Sequence, residues 1–135
     1  MEIDHFAYLA RDTDKFIESL PQRNAEVTLY REPLESQQAY ISFVKTDAAA
    51  PLIEVVEPYA DNEVMNRRLD REGTESFLYH IGYNVTDFDA SFKEMRKQGW
   101  LPLTMPFEGM TPGCRASHLF NPNIGMVEIM EVAAQ

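Results

Sequence analysis

Cysteine is almost missing: Cys114 is the single thiol in 135 residues, so no internal disulfide framework staples this chain. No apolar run approaches the roughly 18 residues that a membrane-spanning helix requires. The opening Met1-Glu2-Ile3-Asp4-His5 has neither the basic segment nor the apolar stretch of a secretory signal. Together these absences give the expectation of a cytoplasmic protein with no membrane partner. Positive charge is scarce as well, with 12 Lys and Arg against 22 Asp and Glu and a formal net charge of −10. A duplex nucleic acid demands a basic footprint, so nucleic-acid binding is excluded as a reading. The local basic groups, Arg67, Arg68 and Arg71 in one segment and Lys93, Arg96 and Lys97 in another, read as solvated helix faces. Histidine is limited to His5, His80 and His118. What remains is ordinary globular material, 44% apolar and 25% charged, enough for one domain to bury a core.

The informative feature is an internal repeat. His5-Phe6-Ala7-Tyr8 leads into Asp12-Thr13-Asp14 and then the apolar spacing Phe16-Ile17-Leu20. Seventy-five positions on (80 − 5), His80-Ile81-Gly82-Tyr83 leads into Asp87-Phe88-Asp89 and then Phe92-Met95. Each copy reads as a strand, an aspartate-capped helix start and a short helix, with Asp12 or Asp14, and Asp87 or Asp89, as N-caps. The copies also close alike: Ile53-Glu54-Val55-Val56-Glu57 matches Val127-Glu128-Ile129-Met130-Glu131 at an offset of 74 (128 − 54). Alternating strands fit 25–31 and 39–45 around a Pro33 loop, and 100–105 and 115–120 around a Pro- and Gly-rich loop, 106–113. The expected fold is therefore α+β. Two tandem βαβββ modules, about 1–58 and 76–132, are joined by a helical connection over 59–75 that ends at Gly73. Packed about a pseudo-twofold axis, their curved sheets would enclose a central cleft within a single domain, 1–135.

Placed on that pattern, His5 and His80 occupy equivalent strands, and Glu54 and Glu128 sit mid-strand in equivalent closing strands. In Ile53-Glu54-Val55 the branched neighbours face a helix, which turns the carboxylate to the other side of the sheet. Two imidazoles and two carboxylates suit Zn, Ni, Co, Mn or Fe(II), and two buried carboxylates are costly without a cation to offset them. Glu57 and Glu131, three positions further on, read as solvated strand ends. His118 has Phe43 at its matched first-half position and reads as a pocket wall or surface residue. Cys114 has no catalytic partner in sequence.

These segments resemble the vicinal oxygen chelate superfamily, which includes glyoxalase I, methylmalonyl-CoA epimerase, extradiol dioxygenases and bleomycin-type resistance proteins. The resemblance spans nearly the whole chain and lies closest to the epimerase and glyoxalase I-like branch. It is carried by Ile3-Asp4-His5-Phe6-Ala7-Tyr8, Leu52-Ile53-Glu54-Val55-Val56-Glu57-Pro58, Tyr79-His80-Ile81-Gly82-Tyr83-Asn84-Val85, and Phe120-Asn121-Pro122 followed by Gly125-Met126-Val127-Glu128-Ile129. It implies one divalent ion held by His5, Glu54, His80 and Glu128, with Ni, Co, Zn or Mn ahead of Fe. The implied enzyme is a metal-dependent isomerase, epimerase or lyase acting on a small 2-oxo or dicarbonyl compound through a metal-stabilised enediolate. Glu128 or Glu54 would move the proton, and the protein would be a homodimer. The alternatives are a non-catalytic small-molecule binding or resistance-type protein, and an Fe(II)-dependent dioxygenase. One departure stands out: the epimerases carry a further acid in the third strand, where this chain has Ala39-Tyr40-Ile41-Ser42-Phe43-Val44.

Overall fold

The computed structural model describes residues 1–133. The chain divides into two compact units, His5–Tyr79 and a second formed by Met1–Asp4 with the chain from His80 onward. In chain order the elements are β1 (Glu2–Ala10), α1 (Thr13–Ser19), β2 (Glu26–Leu34), β3 (Ala39–Lys45), β4 (Leu52–Pro58), α2 (Glu63–Glu72), β5 (Ser76–Val85), α3 (Phe88–Lys97), β6 (Leu101–Pro102), β7 (Phe107–Glu108), β8 (Arg115–Asn121) and β9 (Gly125–Glu131). The fold is mixed α+β, and each copy of the repeat runs strand, helix and then strands.

In the first unit the strand order is β2-β3-β4-β1. β1 pairs with β4 in parallel, aligning His5 with Leu52 and Leu9 with Val56. Asp12 caps α1 by accepting from the Lys15 N–H at 3.0 Å. The helix covers one sheet face, where Phe16, Ile17 and Leu20 pack on Ala10, Val44, Val55 and Ile53. With Ile53 and Val55 taken by the helix, strand alternation sends Glu54 to the opposite face, as the sequence pattern predicts. α2 closes at Gly73, whose φ of +69° is the left-handed conformation that glycine adopts without a Cβ penalty.

The second unit repeats this plan with the order β5-β9-β8-β6, and with β7 on β8. β5 and β9 are parallel, with Gly82 opposite Glu128. Asp87 caps α3 through the Ala90 N–H at 3.0 Å. Phe88, Met95, Phe92 and Trp100 pack on Val85, Leu119, Val127 and Ile129, so Glu128 again points away from the helix.

Two strands differ from the sequence reading. β2 continues through Pro33, which pairs with Tyr40, rather than ending before it. It stands at the end of its strand order, so a residue without an N–H is tolerated there. A bulge eases the passage: pairing jumps from Leu29 opposite Phe43 to Glu32 opposite Ile41, with Arg31 at φ +43° and its N–H donating to Ser42 Oγ at 2.8 Å. In the second half, the strand expected over 100–105 shrinks to Leu101–Pro102, and the expected loop over 106–113 contains β7, paired with Arg115 and Ala116.

Candidate metal centre

Each unit builds the same histidine–glutamate pair on the sheet face its helix leaves uncovered. In the first, His5 is fully buried and its Nε2 stands 3.8 Å from Glu54 Oε1. In the second, His80 Nε2 stands 3.7 Å from Glu128 Oε1, both side chains again buried. Two donors bound about 2.1 Å from a common ion stand roughly 3–3.6 Å apart at tetrahedral or octahedral angles. Both pairs lie close to that range, and imidazole with carboxylate is the donor chemistry that Zn, Ni, Co and Mn accept, so the residues fit such an ion.

Of the two sequence readings of His118, pocket wall or surface residue, its burial overturns the second. Its Nε2 stands 2.9 Å from Glu128 Oε2 and its ring 5.0 Å from that of His80. Donor atoms of His80, His118 and Glu128 all lie within 4.8 Å of one another. Burial by itself would push the Glu128 carboxyl up, but hydrogen bonding to His118 and the neighbouring His80 imidazole outweigh it and hold the group well below the usual carboxylate range. The signal for this contact lies in the last hairpin. Asn121 pairs with Gly125, so the hairpin is symmetric about Asn123, and residues five before and five after it, His118 and Glu128, fall opposite each other. The first half places Phe43 opposite Glu54 in the same way, edge-on to the His5 ring at 6.3 Å.

Glu57 and Glu131 are not solvated strand ends. Glu57 Oε1 accepts from the Thr13 N–H and hydroxyl, both at 2.9 Å, and its Oε2 pairs with Arg31 at 2.6 Å. The carboxylate thus ties the end of β4 to the first turn of α1, where orphan N–H groups favour an anion. Glu131 accepts from the Arg115 backbone and guanidinium, and Arg115 in turn holds Asp89 in the first turn of α3. In both halves the strand carrying the candidate glutamate is thereby locked at its end. Cys114 is buried.

Among the described residues no helix is long and apolar enough to cross a membrane. No curated protein matches the chain. Solved structures do. Methylmalonyl-CoA epimerase from Mycobacterium tuberculosis is 20% identical with a TM-score of 0.81, covering 98% of this chain and 89% of that one. A variant of the Streptomyces coelicolor methylmalonyl-CoA epimerase in complex with 2-nitronate-propionyl-CoA is 24% identical with a TM-score of 0.79, covering 99% of each. A methylmalonyl-CoA epimerase in complex with methylmalonyl-CoA and NH4+ is 24% identical with a TM-score of 0.78, covering 98% of this chain and 95% of that one. At these identities the likeness is one of fold. The model of the glyoxalase/bleomycin resistance protein/dioxygenase superfamily matches residues 4–117, and the chain belongs to that superfamily.

Proposed function

We propose that this protein is a metal-dependent enzyme of the isomerase or epimerase type, acting on a small 2-oxo or dicarbonyl compound. His5, Glu54, His80 and Glu128 together would hold one divalent ion, Ni, Co, Zn or Mn. The observation that carries the reading is the duplication of the buried His–Glu pair, with Nε2–Oε1 separations of 3.8 Å in one unit and 3.7 Å in the other. When bound, the ion would supply Lewis-acid stabilisation of negative charge on a substrate oxygen. For isomerisation Glu54 or Glu128 would take the proton next to the carbonyl and return it to a neighbouring carbon; for epimerisation one would take it and the other would deliver one to the opposite face of the same carbon. Burial by itself favours the neutral Glu128 carboxyl, and the His118 and His80 imidazoles beside it outweigh that and keep it ionised.

β3, Ala39–Lys45, carries no Asp or Glu that could serve as a further acid. Proton transfer on both faces of a substrate would therefore fall to the two glutamates. Two of the epimerase structures of similar fold hold CoA compounds, 2-nitronate-propionyl-CoA in one and methylmalonyl-CoA in the other. A net charge of −10 opposes so anionic a carrier, and we favour a smaller dicarbonyl substrate. A homodimer belongs to the same reading and is checked by sedimentation.

The test is elemental analysis of protein purified without added metal, alongside His5→Ala and Glu128→Ala. About one ion per chain, lost in both variants, supports the site and leads on to deuterium-exchange NMR with 2-oxo and dicarbonyl compounds. Absence of binding after reconstitution with each ion refutes the enzyme reading. Tightly held iron that consumes oxygen moves the protein to the dioxygenases.

A further inference from the structure

His118 is the place where the two halves stop matching. At the equivalent cross-strand position the first half has Phe43, a ring with no hydrogen-bonding atom, set against His5 and paired with Glu54. The second half keeps the ring beside its histidine, at 5.0 Å from His80, but adds a nitrogen that reaches Glu128. Packing alone is satisfied by phenylalanine in one copy, so the imidazole in the other is explained by what its nitrogen does.

Its geometry is sharply determined. The His118 N–H donates to Thr104 Oγ1 at 2.9 Å and its carbonyl accepts from the Leu103 N–H at 2.8 Å. Ser117 Oγ donates to the Thr104 carbonyl at 3.0 Å, and Phe107 packs on the His118 ring at 5.4 Å. The backbone is thus pinned to the segment after β6 while a neighbouring ring fixes the tilt of the imidazole. The two oxygens of Glu128 are divided between partners: Oε1 lies toward His80 at 3.7 Å, and Oε2 lies on His118 at 2.9 Å.

We infer that His118 is a positioning residue: its Nε2–H holds Glu128 Oε2, so that the carboxylate offers Oε1 alone to the ion. This inference rests on the metal reading above. An outer hydrogen bond of this kind orients a ligating carboxylate and typically contributes 10–100-fold to metal affinity. The same hydrogen bond would disfavour binding of an ion through both Glu128 oxygens.

The experiment uses Co(II) as the probe, with its visible spectrum and dissociation constant measured for the wild type, His118→Phe and His118→Gln. His118→Phe installs the residue that the first half tolerates in the same place. It is expected to weaken cobalt binding about 10–100-fold, whereas His118→Gln, which retains an N–H donor, stays within about threefold of the wild type with the same spectrum. Wild-type affinity in His118→Phe overturns the inference. A His118→Gln spectrum that shifts as for a lost nitrogen ligand also overturns it, by making His118 a ligand instead. A wild type that binds no cobalt refutes the metal reading itself, which separates the two failures. Should His118→Phe not fold, long-range 1H–15N NMR of the metal-free wild type decides. The proton on Nε2 is expected, and a proton on Nδ1 with bare Nε2 refutes the contact.

Discussion

Replacing Glu57 by leucine tests whether the carboxylate at the end of β4 holds the first unit together or merely faces water. The side chain is 14% exposed and accepts three hydrogen bonds: two from Thr13 at 2.9 Å, and one from Arg31 at 2.6 Å. Thr13 is itself 1% exposed, so its N–H and hydroxyl find little water once the acceptor is gone. Stranding buried donors costs about 1–3 kcal/mol each, although the hydroxyl can rotate toward another acceptor and recover part of that. The Arg31 pair is discounted to about 0–1 kcal/mol, because that guanidinium is 37% exposed and screened by solvent. The expected loss is about 3 kcal/mol. An unfolding entropy of about 2.1 cal/mol/K per residue over 135 residues gives about 0.28 kcal/mol/K, so Tm should fall by about 10 °C. Far-ultraviolet circular dichroism in the presence of a chelator reads this without a contribution from metal. Glu57→Gln, which keeps one acceptor, should recover part of the loss. A fall below about 3 °C for Glu57→Leu would show that Thr13 finds other partners and that Glu57 does not tie β4 to α1.

Four further outcomes follow from the same structure. If the His–Glu pairs hold an ion, saturating the chelated protein at about 1,000 times the dissociation constant should add about 4 kcal/mol, or roughly 10–15 °C in Tm, and His80→Ala should abolish that shift in calorimetry. The Glu131 carboxyl lies below its ordinary value of 4.5 because it is hydrogen-bonded to Arg115. A depressed folded pKa stabilises the protein above 4.5 and ceases to do so as pH falls through the folded value, so in urea titrations Glu131→Gln should lose less stability than the wild type between pH 7 and pH 3.5. Leu119→Ala empties a fully buried position against Ile129 and Val127 and should cost about 2–5 kcal/mol by denaturant titration. Gly73→Ala forces a Cβ onto a φ of +69° and should cost about 1 kcal/mol on the same assay, even though no atom crowds the site.

The repeat was legible because it is written in the kind of pattern that local physics reads. Alternation in Ile53-Glu54-Val55 and Val127-Glu128-Ile129 needs only a strand with one face on a helix, and both helices cover those faces. Asp12 and Asp87 cap their helices because a short carboxylate reaches an N–H three residues on, a contact made entirely within a few residues of chain. The family resemblance rested on the same local segments, and the match over residues 4–117 agrees with it.

Contacts made across strands were beyond that reach. Pro33 reads as a breaker until β2 is known to stand at the end of its strand order, where a missing N–H costs nothing. Glu57 and Glu131 carry the polarity of solvated strand ends, and only folding brings Thr13, Arg31 and Arg115 to them from 16 to 44 positions away. His118 was open to inference from the symmetry of its hairpin, yet whether an imidazole opposite a glutamate touches it depends on register and on the tilt that Phe107 imposes. The sequence by itself determined the α+β class, the duplicated modules and the residue types at the candidate centre, because periodicity and capping are short-range. Tertiary structure decided which side chains meet, because a hydrogen bond is made or lost within about 1 Å and strand register sets that distance.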